Sequence, residues 1–455
     1  MSSAQWSRAC IDRYSALLSA TELRRRVNVY ALPLNGLDAM PIALACEELQ
    51  QGLERVFLLT DQGCALLLDE IERAHAHAIR MYSETAGLIP CIYASRLEVT
   101  PCMPTLITGP AGSGKSALCK ALGRALSGTD RAYIDPEHRN MPLKGIVEIV
   151  VKGRSSIIDL LRPVAYPSPL EAAVKVKQAE LPALCAKRLR LCGVCLLSLD
   201  ETQFLTHSAN ATALITSLLM AIAQFGVPWI VNANYSLCWK LLARPSEMIQ
   251  RLLGRPRVLM PDPPQSPDWQ ALLAEYQTVL SNVLAFRLID RSTGLWSRCG
   301  GIKRLLVRLL RIAYKICRNR GGTRIVWEDV TDGYQSNDYY LSRLEVEKLV
   351  AAATAGEKLS PDLKCPFPDG QAATPTAAYE QAIRAKREDD VAKSKLDACR
   401  NASEAQQVER MNAAASSTGA PARPGKSRRR YIKPRRVEDL LDAGRRRRTA
   451  LDEER

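Results

Sequence analysis

Histidine is scarce in this sequence, with four residues in 455. His75 and His77 stand two apart, which puts them on different sides of a helix, and His138 and His207 have no partner beside them in sequence. A histidine-based metal centre is therefore not expected. Cysteine is thin too. The 14 thiols, scattered from Cys10 to Cys399 without a repeating spacing, make up about 3% of the chain, far below a disulfide scaffold. Cys192-Gly-Val-Cys195 has metal-like spacing but no second pair, and its apolar setting predicts buried thiols. The first residues, MSSAQWSRACIDRYSALL, lack a basic stretch followed by an apolar one, so no secretory signal is expected. Thiols in a reducing cytoplasm are the simplest reading. No G-x-S-x-G elbow is present, and neither a helix-turn-helix nor a zinc finger is evident, so sequence-specific reading of DNA is not expected. No internal repeat is visible.

What is there has the balance of a globular protein: 47% apolar and 24% charged residues. Lys+Arg 63 against Asp+Glu 48 gives +15, which makes a polyanion a plausible partner. The excess is uneven. Residues 421–455 hold thirteen Lys/Arg against six Asp/Glu and include SRRRYIKPRR and RRRR, a tail that cannot bury a core and is expected to be disordered until bound. Between Thr202 and Trp239 there is no charged residue at all. This run is long enough to span a bilayer, but Gly226 and Pro228 break it. A buried helix over 211–223 followed by a buried strand, WIVNAN, is expected instead, with no membrane partner.

The chain divides by composition. Residues 1–100 read as mostly helical, with Thr60-Asp61 able to cap a helix through CALLLDEIERAHAHAIRMY. Residues 101–260 alternate strand and helix signals: TLITG, KSALCKALGRAL, IVEIVV, a helical stretch near LEAAVKVKQ, VCLLSL, the helix at 211–223 and WIVNAN. Such alternation predicts an α/β fold, a mostly parallel sheet with helices on both faces. Beyond Leu241 the strand signal fades, and residues 261–356 read as a smaller helical domain after the link PDPPQSPDW. Residues 357–455 read as linker, charged helix and basic tail.

One motif stands above the rest. Gly109-Pro110-Ala111-Gly112-Ser113-Gly114-Lys115-Ser116, followed by Ala117, fits G-x-x-x-x-G-K-[ST] between a strand and a helix. Gly112 and Gly114 let the backbone turn so that consecutive N–H groups face a phosphate, and the next helix points its positive end at the same anion. Lys115 can reach β- and γ-phosphates, and Ser116 can ligate Mg²⁺. The strand VCLLSL ends in Asp200-Glu201, which suits Asp200 to the metal shell and Glu201 to activating a water. A following strand ends in Asn232-Ala-Asn234; Asn234, deeper past the strand, is the expected sensor of water and γ-phosphate, with a turn-forming Asn as the competing reading. Gly301-Ile-Lys303-Arg304 opens a helix from which Arg304 can reach back to the phosphates; a solvated basic face shared with Arg308 and Arg311 is the alternative. Among Arg244, Arg251, Arg255 and Arg257, Arg251 is the candidate to enter a neighbouring subunit's site, and the others are expected to be surface charges.

With these motifs in this order and a helical domain last, the chain resembles an AAA+ ATPase. The ending Asp200-Glu201-Thr-Gln203, the segment NANYSLCWKLLARPSEMIQRLL, the VLMPDPP link, GGIKRLLVRLLRIAY and DGYQSNDYYLSRLEVEKL look like the TnsC/TniB-type regulators of bacterial transposition, over roughly residues 55–370. The resemblance implies a P-loop NTPase fold, a three-layer α/β/α parallel sheet with a helical lid. It implies ATP and Mg²⁺ as cofactors and ATP hydrolysis as the activity. It also implies bacterial cytoplasmic subunits that assemble with ATP on duplex DNA as a ring or helical filament, link a target-selection protein to transposase subunits, and leave on hydrolysis. The basic tail resembles a docking segment for transposase. Another DNA-associated AAA+ machine, such as a replication initiator or helicase loader, and a signalling or defence NTPase remain alternatives.

Overall fold

A computed structural model describes residues 3–83, 93, 99–128, 131–132, 137, 141–151, 155–168, 176–202, 211–355, 359–367 and 391. Gln203, His138, His207, most of LEAAVKVKQ and the basic tail lie outside the described residues. The chain forms two compact units, Met1–Glu388 and Asp389–Arg455. Of the second, only Val391 is described.

The N-terminal helices are α1 (Ser3–Ser15), α2 (Ala20–Val27), α3 (Ile42–Arg55) and α4 (Asp61–Tyr82). The expected cap at the start of α4 is present, since the Thr60 side chain accepts from the Gly63 N–H. Strand β1 (Thr105–Thr108) follows, then α5 (Lys115–Ala125), the short ribbon strands β2 (Arg131–Ala132) and β3 (Met141–Pro142), β4 (Val147–Val150), α6 (Ile157–Ala165) and α7 (Leu181–Leu191). Strand β5 (Leu197–Asp200), α8 (Ala211–Ala223), β6 (Trp229–Ala233), α9 (Tyr235–Leu242), α10 (Ser246–Leu252) and β7 (Arg255–Val258) complete the sheet region. The lid helices are α11 (Pro267–Val279), α12 (Ser292–Cys299), α13 (Lys303–Asn319), α14 (Trp327–Gln335) and α15 (Tyr340–Ala355).

Five strands pair in the order β4-β5-β6-β1-β7, all parallel. Side-chain alternation along each strand makes the three layers. Leu106 of β1 joins one core with Trp229 and Val231 of β6 and residues of α6 to α9, whereas Ile107 and Ile230 point to the other face, into a core built with α1, α2, α4 and α5. A third core gathers the lid helices, and α3 belongs to it through Ala45, Cys46, Leu49 and Leu53. The result is a three-layer α/β/α architecture on a parallel sheet, with a helical C-terminal region.

Two elements correct the sequence reading. The strand signal does not end at residue 241: Arg255–Val258 is β7, paired with β1 in the register Thr105↔Arg255. Pro256 has no N–H to give, which an edge strand tolerates. Arg255 and Arg257 are not plain surface charges; both pair with Asp69 of α4, at 2.9 and 3.2 Å. Helix α7 was not anticipated either. Its Leu181, Cys185 and Leu189 are buried against the sheet. Within the uncharged run Ala211–Ala223 is α8 and Trp229–Ala233 is β6, and no helix among the described residues is long and apolar enough to cross a membrane. Cys192 and Cys195 are buried free thiols, and the described residues contain no cluster able to hold a metal through His, Cys, Asp and Glu.

Candidate nucleotide-binding site

Because the sheet is parallel, the carboxyl ends of β1, β5 and β6 open on one edge, where such folds collect their ligands. The chain leaves β1 at Gly109 under a tight crossing: a Cβ there would stand 2.3 Å from the Leu259 carbonyl oxygen. Gly112 and Gly114 take φ of +85° and +104°, a backbone that side-chain-bearing residues rarely adopt. The Ser113 N–H donates to Pro110 O at 3.2 Å. Helix α5 then starts at Lys115, so its unpaired N–H groups end at the loop.

The loop walls a cavity of about 250 Å³ whose lining includes Ala111, Gly112, Gly114, Lys115, Ser116 and Ala117. From other segments it is closed by Asp200, Glu201, Asn232, Asn234 and Arg304. Lys115 is buried and donates to the Gly109 and Pro110 carbonyls, at 2.9 Å each. Burial lowers it to about 8, against a smaller opposing pull from nearby acidic groups including Asp200 and Glu201. An anion in the cavity would raise it again.

Asp200 is held by three donors converging on one carboxylate oxygen: Ser116 Oγ at 3.1 Å, Asn232 Nδ2 at 3.0 Å and the Glu201 N–H at 2.8 Å. Ser116 and Asp200 are hard oxygen donors side by side, the type of ligand set a small divalent cation takes. Glu201 has φ of +58° and is the one non-glycine among the described residues with a positive φ. A conformation of this kind costs on the order of 1–3 kcal/mol and persists where the surroundings enforce it. Thr202 supplies part of that: it is buried and its hydroxyl donates to Asn232 O, tying the end of β5 to β6.

Asn234, the expected sensor, lines the cavity at the start of α9, and its side chain makes no cap hydrogen bond. Asn232 is the residue the sequence reading passed over. It is buried, donates to Asp200 and to Cys119 Sγ (3.2 Å), and leaves its Oδ1 buried without a partner among the described residues. The signal was its place inside β6, two residues before Asn234, where a polar side chain must have a reason to be buried. Arg304 arrives from the lid. Gly300 and Gly301, at φ of +64° and +68°, turn the chain into α13, and Arg304 Nη2 reaches Ala111 O at 3.4 Å. Arg308 turns elsewhere, onto Asp338 O at 2.7 Å. Arg251 is exposed on α10 and lines neither cavity of its own chain.

A second cavity of about 450 Å³ shares Gly112, Gly114, Ala117 and Arg304 with the first. Its walls come from five separated segments: Val56 to Leu58 before α4, the glycine loop, Leu259 to Asp262 after β7, Leu272 and Tyr276 of α11, and Lys303 and Val307 of α13. Nothing local in the sequence marks it. The buried Ser113 hydroxyl at its edge has no hydrogen-bond partner among the described residues.

Residues 99–241 match a family model described as an AAA domain. This segment is an AAA-type P-loop ATPase domain. The match runs through β1, the glycine loop, Asp200 and Asn234, so the first cavity is built from the AAA domain and closed by Arg304 from outside it. A search of curated proteins finds no match. Solved structures similar to the chain include the Aeropyrum pernix Orc1 protein in complex with DNA, at 18% identity over 69% of this chain and 76% of that one, with a TM-score of 0.37. Cdc6p from Pyrobaculum aerophilum is similar at 16% identity, over 62% and 74%, with a TM-score of 0.36. The Thermotoga maritima RuvB Holliday junction branch migration motor is similar at 13% identity, over 56% and 69%, with a TM-score of 0.32.

Proposed function

We propose that this chain is an ATP-hydrolysing switch that assembles on duplex DNA and regulates transposition. The observation that supports it most is the convergence of Lys115, Ser116, Asp200 and Glu201 on one cavity at the strand ends. In this reading the N–H groups of the glycine loop and Lys115 hold the phosphates of ATP, and Ser116 and Asp200 hold Mg²⁺, which would neutralise charge on the phosphates. Asn232 orients Asp200. Glu201 takes the proton of the attacking water, and Asn234 positions that water against the γ-phosphate. Arg304 couples the angle of the lid to the nucleotide, and Arg251, exposed on α10, completes a neighbouring subunit's site.

The +15 charge supports sequence-independent contact with phosphate backbones. The transposition role rests on the resemblance of the Asn-Tyr-Ser-Leu, Pro-Asp-Pro-Pro and DGYQSNDYY segments to TnsC/TniB-type regulators. ATP-bound subunits would form a ring or filament, take a signal from a target-selection protein and recruit transposase, with the basic tail as the docking arm. A replication initiator or helicase loader would use the same site and charge, and the partner separates the two. The test is purified protein with duplex DNA and a non-hydrolysable ATP analogue, viewed by negative-stain microscopy, with ATPase rates measured in parallel. Nucleotide-dependent assemblies on DNA and DNA-stimulated hydrolysis are expected. Monomers under all conditions would refute the proposal, and capture of a replicative helicase in place of transposase would move it to the second reading.

A further inference from the structure

Residues 359–367, in the stretch expected to be linker, fold back and touch both the lid and the sheet domain. At one end Leu363 is buried in the lid core, with Leu359 packed against it. At the other end Phe367 packs against the core that α6 to α9 build on the sheet. Between them Lys364 rests on α9. Its carbonyl accepts from Trp239 Nε1 at 3.0 Å, and its ammonium lies 5.6 Å from the centre of the Trp239 ring. Cys365 stands beside the Tyr235 hydroxyl, in the first turn of the same helix. From Leu363 to Phe367 the chain can span at most about 14 Å. Pro361 and Pro366 restrict it further, and the N–H groups of Leu363 and Lys364 both close on Ser360 O at 2.9 Å. A short, stiff connection transmits position where a flexible linker does not.

The two elements it joins are also two sides of the phosphate cavity. Helix α9 starts directly after Asn234, which lines the cavity, and its Cys238 thiol donates to Thr108 Oγ1 at the end of β1, at 3.4 Å. The lid supplies Arg304, whose reach to the glycine loop is long, at 3.4 Å to Ala111 O. Such a contact is too weak to fix the lid by itself. Glu345 of α15 faces both Arg304 and Asp362, so the segment passes close to the part of the lid that carries the arginine. We propose that residues 359–367 are a strap that holds the lid down on α9, keeps Arg304 over the glycine loop and slows the escape of bound nucleotide. The strap regulates the site assigned above and rests on that reading. It lies outside the matched AAA domain.

The test cuts the strap at each end. Full-length protein, Leu363→Ala, Phe367→Ala and the double variant are loaded with a fluorescent ADP analogue and magnesium, and its release is followed after a chase with excess ATP. Each single variant should release it about five- to tenfold faster, the lower range of coupling between two sites. A strap cut at either end is already slack, so the double variant should be no faster than the single ones. Independent packing defects in two separate cores would multiply instead. In an Arg304→Ala background both substitutions should lose their effect. Trp239→Phe keeps a ring on α9 and loses the donor to Lys364, so about threefold faster release is expected; it carries the test if an alanine variant fails to fold. Parental release rates, acceleration from one end only, multiplied effects in the double variant, or undiminished acceleration over Arg304→Ala would overturn the strap while leaving the nucleotide site standing. Parental protein that never binds the analogue would overturn both.

Discussion

Strand β1 is four residues long, and its two ends carry polar groups of opposite character. At the amino end, buried Thr105 donates to Glu70 Oε1 at 2.6 Å, while Arg73 donates to Glu70 Oε2 at 2.7 Å and to Thr105 at 2.6 Å. Arg73 also reaches Met103 O at 3.3 Å. Among the described residues, Thr105 and Arg73 both find acceptors there within the protein. At the carboxyl end the Ser113 hydroxyl and Asn232 Oδ1 are buried without partners among the described residues, Lys115 rests on loop carbonyls, and the backbone takes unusual φ at Gly112, Gly114 and Glu201. A saturated cluster holds the fold together. An unsaturated, strained one is poised for something from outside.

Mutation should separate the ends, and the largest effect is expected at Glu201. Glu201→Gln should bind ATP as the parent does and hydrolyse it about 10²- to 10⁴-fold more slowly, the usual contribution of a general base. Steady-state phosphate release beside a binding titration tests this, and parental turnover would remove Glu201 from the role. Lys115→Ala should weaken ATP binding by about 30-fold or more, from the loss of charge-assisted contacts to phosphate, with little change in melting temperature. At the other end the pattern should invert. Thr105→Val keeps the side-chain shape but leaves Glu70 and Arg73 short of a partner, so unfolding free energy should fall by about 1–3 kcal/mol with ATP affinity unchanged. Chemical denaturation reads the first and titration the second; a loss of affinity with full stability would break the comparison. The smallest effect is on pH. Burial holds free Lys115 at about 8 and phosphate would raise it again, so binding takes up a proton at alkaline pH. ATP affinity should be flat near neutrality and fall as pH rises through about 8, by at most about tenfold per unit, and this slope should vanish in Lys115→Ala.

How much of this was legible followed from where the residues sit in the chain. The glycine loop and Asp200-Glu201 are contiguous signals with an apolar strand before each, and the three-layer fold follows from the alternation that flanks them. Strand β7 was not legible, because Arg-Pro-Arg-Val is four residues with two charges, a proline that has no N–H to pair, and a single branched apolar residue, Val258. It is placed by its pairing with β1 and by two ion pairs to Asp69, nearly two hundred residues upstream. Asn232 hid because a strand's period assigns it a face only when the neighbouring strand is known. The second cavity hid for a stronger reason: Val56, Gly112, Asp262 and Lys303 are brought together by the fold alone.

The placement of α3 carries a practical consequence. Though it precedes the sheet in sequence, Leu49 and Leu53 pack among Leu306, Leu309 and Leu310 of the lid. A recombinant fragment trimmed to begin at the family match would strip those leucines of their cover and present a sticky apolar floor to solvent. Expression trials of the catalytic half should keep everything from the first helix onward.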